Sequence, residues 1–171
     1  MDKTVKTKIS KKKGVVVERG IKSNSISVVV IVVLTFILYG NTVRNNYLKD
    51  DNVVTNKNDL VQKGIKAIPE IFSALFDKDD GKFNFNYRPV PKSTFALEYE
   101  YFGDNPHISH FINLLIYSIT GIILFLLLRT LFKDYNYLFS LVITVIFIAH
   151  PIHTEVVASL KNRDEMLFGC Q

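Results

Sequence analysis

Apolar residues in this chain come in long blocks separated by polar stretches, not in the short alternations that mark half-buried strands. Residues 25–43 are almost all Ile, Val, Leu, Phe and Thr, residues 108–132 form a second block, and residues 137–150 form a third. A bilayer crossing takes roughly 20 mostly apolar residues at about 1.5 Å rise each. The second block meets that length comfortably, the first meets it with its polar shoulders, and the third is short. Tyr135 and Tyr137 stand at the start of the third block as interface anchors, which favours a span. Apolar character resumes at Met166-Leu167-Phe168, so residues 166–171 read as the start of a fourth membrane segment in a fragment of a longer protein. The pattern predicts an all-α polytopic membrane protein with about three spans.

Residues 44–107 follow a different pattern. Asp59-Leu60-Val61-Gln62 reads as a capping box opening a helix, and Val61, Ile65, Ile68, Phe72 and Leu75 recur at helical spacing. Pro69 divides this stretch into two short helices and falls in the first turn of the second. After a turn at Asp79-Asp80-Gly81, a further amphipathic stretch puts Phe95, Tyr99 and Phe102 on one face, ended by Gly103 and Asn105-Pro106. Helices are predicted over 61–76 and 91–102. They lie in the headgroup plane with their apolar faces down, or pack on each other as a small cap.

Charge fixes an orientation. The formal net charge is +5, and it comes largely from residues 1–24, where Lys3, Lys6, Lys8, Lys11, Lys12, Lys13, Arg19 and Lys22 oppose only Asp2 and Glu18. Such a tail stays in the cytoplasm, and Arg129 and Lys133 mark the next cytoplasmic turn at 133–136. Residues 44–107 and 151–165 then face outward. The basic excess is a topology anchor that touches anionic lipid, not a nucleic-acid signal. A signal peptide has the same basic and apolar parts, but no small-x-small cleavage site follows; the chain reads Tyr39-Gly40-Asn41-Thr42. The lone Cys170 excludes an intrachain disulfide in this sequence.

The candidate chemistry clusters at the predicted outer surface. Asp50 and Asp51 follow closely on the first span, whereas Asp79-Asp80 precedes a glycine and is ordinary turn chemistry. Arg88, in Tyr87-Arg88-Pro89, is one of five arginines in a lysine-rich chain and offers a planar fork suited to phosphate oxygens. The four histidines, His107, His110, His150 and His153, all fall at outer span ends. His150 and His153 make an HxxH with Glu155 nearby, but two histidines with no thiolate form an incomplete metal site. No metal and no cofactor are therefore predicted. Lys161-Asn162-Arg163-Asp164-Glu165 stands directly before the last apolar onset. The spans carry almost no mid-membrane charge, which argues against a transporter.

In order, these motifs run Asp50-Asp51, Tyr87-Arg88-Pro89, Asn105-Pro106 with His110 and Asn113, His150 to Ala158 (HPIHTEVVA), then Arg163-Asp164-Glu165. That order resembles the membrane O-mannosyltransferase-like proteins that carry tetratricopeptide repeats, especially bacterial members, within the class C glycosyltransferases. HPIHTEVVA is the most specific part, and the likeness covers about residues 39–168. The chain departs from the family pattern at Lys49, where an apolar residue is usual, and at Asn162, where glycine is common. The resemblance implies a class C architecture and a polyprenyl-phosphate-linked sugar as donor. It implies a secreted or membrane protein as acceptor, at Ser or Thr, and a bacterial inner-membrane location with the N-terminus in the cytoplasm. It also implies catalytic roles for Asp50 and Asp51 and a donor-phosphate site at Arg88, Arg163, His150 and His153. Glu155, Asp164, Glu165 and His110 would support them. The repeats and most membrane helices are absent from this sequence, so this piece alone is expected to be inactive. The competing reading is a non-catalytic polytopic assembly or binding protein with the same spans and scattered charges.

Overall fold

A computed structural model describes residues 24–51, 54–55, 58–73 and 87–168. Residues 1–23, the Asp79-Asp80-Gly81 turn, Leu75, Phe76 and residues 169–171 lie outside the described residues. Among the described residues there are helices and turns and no strand. Helix α1 (Asn24–Arg44) ends in a 3-10 turn, Gly40–Arg44. Two short helices follow, α2 (Asp59–Gln62) and α3 (Ile68–Ser73), joined by a 3-10 turn, Gly64–Ala67. Then come α4 (Pro89–Phe102), α5 (Pro106–Leu131), α6 (Tyr137–Ala149), α7 (His153–Ala158) and α8 (Arg163–Phe168).

Helices α1 and α5 are long and apolar enough to cross a membrane. The 13 residues of α6 rise about 20 Å, against a hydrocarbon core of about 30 Å. Length alone therefore gives two candidate spans. Local sequence sets the helix starts. The Asn105 side chain accepts from the His107 and Ile108 N–H groups, Pro106 takes the first turn, and Arg129 sits in the last. Asn136 caps α6 through Leu138 N–H.

The three apolar helices share a core of Ile31, Leu114, Tyr117, Phe125 and Ile148. Gly121 marks their closest approach: a Cβ there would lie 2.8 Å from Ile148 Cδ1 and 3.2 Å from Ile31 Cγ2. Buried hydroxyls bond back along their own helices, Thr35 to Ile31 O, Ser118 to Leu114 O and Thr144 to Ser140 O. Large apolar side chains remain open on the other faces, Ile26 and Ile37 on α1, Ile119 and Ile123 on α5, Val142 and Ile146 on α6, as a lipid environment allows.

At one end of this bundle the helix ends are tied together. Tyr39 Oη donates to Ile148 O at 2.7 Å, and the Tyr39 and Tyr117 rings meet edge to face at 5.4 Å. His107 Nδ1 lies 2.9 Å from Val43 O. The ends of α1 and α6 thus share a level with the start of α5, and the cap of α2, α3 and α4 follows directly from it.

The cap departs from the sequence reading in two places. The helix-opening residue is Asn58, whose side chain accepts from Leu60 and Val61 N–H, rather than Asp59. The expected stripe also shifts. Val61, Ala67 and Ile71 are buried, while Ile65 and Phe72 are exposed. The cause is Gly64, at φ +67°, which breaks the α-helix and starts a 3-10 turn. A repeat of three residues per turn then buries 61, 64 and 67. On α4, Phe95 is buried and Tyr99 half-buried, against Val54, Val61 and Leu160, whereas Phe102 is exposed.

Candidate functional site

The acid pair divides into two unlike carboxylates. Asp51 is fully buried. Its Oδ2 accepts from Leu48 N–H at 3.0 Å, and its Oδ1 accepts from Lys161 N–H at 3.0 Å and Ser159 Oγ at 3.3 Å. Its carbonyl accepts from Val54 N–H, Thr55 N–H and Thr55 Oγ1. Asp51 therefore splices the 48–55 turn to the 159–161 turn. Asp50 points the other way: its side chain is 74% exposed, and its Oδ2 lies 3.6 Å from Lys161 Nζ.

Arg88 reaches the same turn from the other side. Its Nη1 donates to Lys161 O at 3.0 Å and pairs with Asp164 Oδ2 at 2.9 Å. Lys161 is thus a junction, touching Asp51 through its N–H, Arg88 through its carbonyl and Asp50 through its ammonium. Lys92, one helical turn beyond Arg88, has its amine pushed below the usual lysine range by burial and by the Arg88 charge.

Arg163 was assigned from sequence to the donor phosphate, but its fork is filled by protein. The residue is fully buried. Nε donates to Asn113 Oδ1 at 2.6 Å, Nη1 to Thr94 Oγ1 at 2.8 Å and to Glu98 Oε1, and Nη2 to Ser109 O at 3.0 Å. Its Cζ lies 3.7 Å from the Phe95 ring centroid. Burial pushes the Glu98 carboxyl up, with the Arg163 guanidinium pulling against it. This clasp joins α8 to α4 and α5. Glu98 was missed in the sequence, although it stands three residues beyond Phe95 on the buried face of α4. A carboxylate there signals a buried cationic partner.

The remaining candidates are dispersed. His110 is fully buried near Asn46, Asp51, His107 and Arg163. His150 is exposed, and its Nδ1 accepts from Ile152 N–H at 3.3 Å. The His153 ring packs 4.3 Å from Phe147 and 5.7 Å from Tyr117, and burial followed by the His150 charge lowers its pKa. Among the described residues no contact joins either histidine to the acid pair. The two rings are 6.2 Å apart, and no three His, Cys, Asp or Glu side chains among the described residues are grouped to hold a metal. Glu155 and Glu165 are exposed. A cavity of about 10 Å³ lies beside the clasp, lined by Tyr47, Thr55, Glu98 and Ser109, which is room for one water. The Tyr47 phenol is held above its usual range by burial and by Asp104.

The structure therefore brings Asp50, Asp51, Arg88, Lys161 and Asp164 together at the tied end of the bundle, from motifs far apart in sequence. Known proteins share this stretch of chain. A "Protein O-mannosyl-transferase F38B6.6" of Caenorhabditis elegans is 26% identical over 156 residues, covering 88% of this chain and 22% of that protein. "Protein O-mannosyl-transferase TMTC1" of Mus musculus is 29% identical over 133 residues, 75% of this chain and 14% of its own length. "Protein O-mannosyl-transferase TMTC3" of Homo sapiens is 34% identical over 82 residues, 48% of this chain and 9% of its own. The chain is a weak homologue of protein O-mannosyltransferases. It spans about a fifth or less of the length of these relatives. No protein-family model matches it, and no solved structure does.

Proposed function

We propose that this chain forms the first part of a membrane glycosyltransferase that moves a mannose-like sugar from a polyprenyl phosphate to a protein Ser or Thr hydroxyl. The observation that carries this reading is the Lys161 junction where the apolar helices end: its ammonium pairs with the exposed Asp50 carboxylate and its carbonyl accepts from Arg88, so a carboxylate and two cations converge on one turn. A lipid-anchored phosphate arrives at that level. In the reaction the acceptor oxygen bonds to the anomeric carbon and the carbon–oxygen bond to phosphate breaks. The phosphate leaves with the bonding electrons, and the hydroxyl proton passes to Asp50. Such proton acceptance is worth roughly 10²–10⁴ in rate. Arg88 stabilises the growing phosphate charge. Asp51 and Arg163 act by position: one fixes the Asp50 turn, the other holds α8 against α4. His150, His153, Glu155, Glu165 and His110 are assigned to the rim and its support.

The location in this reading is a bacterial inner membrane, with the basic tail in the cytoplasm, residues 137–150 as a third span, and the site outside. A cysteine at Asp104 should then be labelled by an impermeant reagent from outside, and one at Asp134 should not. The activity is tested by sugar transfer from a polyprenyl-phosphate donor by the full-length protein. No transfer from any such donor would leave the non-catalytic assembly reading in its place.

A further inference from the structure

We propose that Lys161 is a ligand of the donor phosphate, and that Asp50 occupies its ammonium until the donor arrives. This inference rests on the glycosyltransferase reading, and it assigns a residue that the sequence reading left without a role.

Three features support the assignment. The Asp50–Lys161 pair is loose, at 3.6 Å, with side chains 74% and 44% exposed, so solvent screens it and little holds it closed. The Lys161 backbone, by contrast, is pinned on both sides, its N–H by Asp51 and its carbonyl by Arg88. Only the side chain is free to change partner, while its root stays in register with the acid pair. A second cation is already adjacent: both Arg88 contacts among the described residues run through Nη1, which leaves Nη2 and Nε for another acceptor. A phosphate offers several oxygens and can engage both cations, whereas the Asp50 carboxylate engages Lys161 alone. The exchange moves Lys161 onto the phosphate and frees Asp50 to accept the acceptor's proton. Donor binding would thus arm the base, and an empty site would hold it paired.

The test measures binding and transfer separately on the full-length protein in detergent. Farnesyl phosphate is the probe, titrated by calorimetry, with inorganic phosphate as the comparison. Lys161→Gln should weaken farnesyl phosphate binding about tenfold, the scale of one charge-assisted contact. Lys161→Arg should restore most of it, which separates lost charge from misfolding. Asp50→Asn should tighten binding a few-fold by removing the competitor. In the Lys161→Gln background that tightening should disappear. Normal binding by Lys161→Gln, weaker binding by Asp50→Asn, or an undiminished Asp50→Asn gain without Lys161 would each overturn the exchange. Inorganic phosphate bound as tightly as farnesyl phosphate would overturn the lipid assignment. Sugar transfer by the unaltered protein, with normal probe binding by Lys161→Gln, would sink the exchange and keep the enzyme reading. Absence of both transfer and probe binding would sink the two together.

Discussion

Two arginine–carboxylate clusters sit on either side of one turn, and they put the same chemistry to opposite uses. Around Arg163 every guanidinium nitrogen is occupied and the side chain has no solvent contact. Among the described residues, Arg88 makes both of its contacts through one nitrogen, and its side chain is 34% exposed. Buried, such a pair is costly to break, because the partner is left charged and dry. Open, it adds little stability and is free to exchange partners. The difference teaches that an arginine beside an acid is read by its burial, not by its motif. The same lesson separates Asp51 from Asp50.

The largest expected effect falls on the clasp. Arg163→Met leaves Glu98 buried without its cation and should cost about 3–5 kcal/mol. Thermal unfolding in detergent should show it, and Glu98→Leu in the same chain should recover most of the loss. Arg88→Met should cost at most about 1 kcal/mol while weakening donor binding clearly. Equal losses of stability at the two arginines would erase the distinction.

Asp51→Asn comes next. An amide retains the shape but turns a donor toward Leu48 N–H or toward Lys161 N–H and Ser159, leaving a buried group unsatisfied at about 1–3 kcal/mol. Transfer should fall with it, and a disulfide or ligand that stabilises the fold should restore part of it. Gly64→Ala is smaller, about 1–2 kcal/mol, since the left-handed φ penalises a Cβ. It should loosen the cap, seen as faster amide exchange in 59–67, with the α1–α5 core unchanged.

The smallest effect depends on pH. The His153 pKa is lowered in the folded protein by burial against Phe147 and Tyr117. A histidine whose folded pKa is depressed favours the folded state above its unfolded value, about 6.5. That contribution is lost as pH falls from there through the folded pKa. His153→Phe should flatten the acid limb of the unfolding curve as pH falls below about 6.5.

Much of the scaffold was legible in the sequence, because an apolar run of 20 or so residues admits few structures. The stop at Gly103 is equally plain, since it rests on one local rule, whereas Asn105-Pro106, which reads from sequence as part of that stop, proves to be the capped start of α5. The stripe on residues 61–72 was misread because Gly64 switches the repeat from 3.6 to three, and periodicity alone does not show that. The acid pair was found by its place, but which member is buried depends on Lys161 and Ser159, more than a hundred residues away. From sequence Arg163 reads as a phosphate ligand because its partners, Glu98, Thr94 and Asn113, lie on two other helices. Nothing local to residues 161–165 announces that its fork is already filled.

The central claim is that Asp50 performs the chemistry and Asp51 holds it in place. The most direct measurement is sugar transfer by full-length Asp50→Asn, alongside its thermal unfolding and donor binding. Turnover should fall by about 10²–10⁴, with stability unchanged and donor binding no weaker. Unchanged turnover in Asp50→Asn, with turnover abolished in an Asp51→Asn protein that is still stably folded, would contradict the account and move the catalytic carboxylate to the buried neighbour.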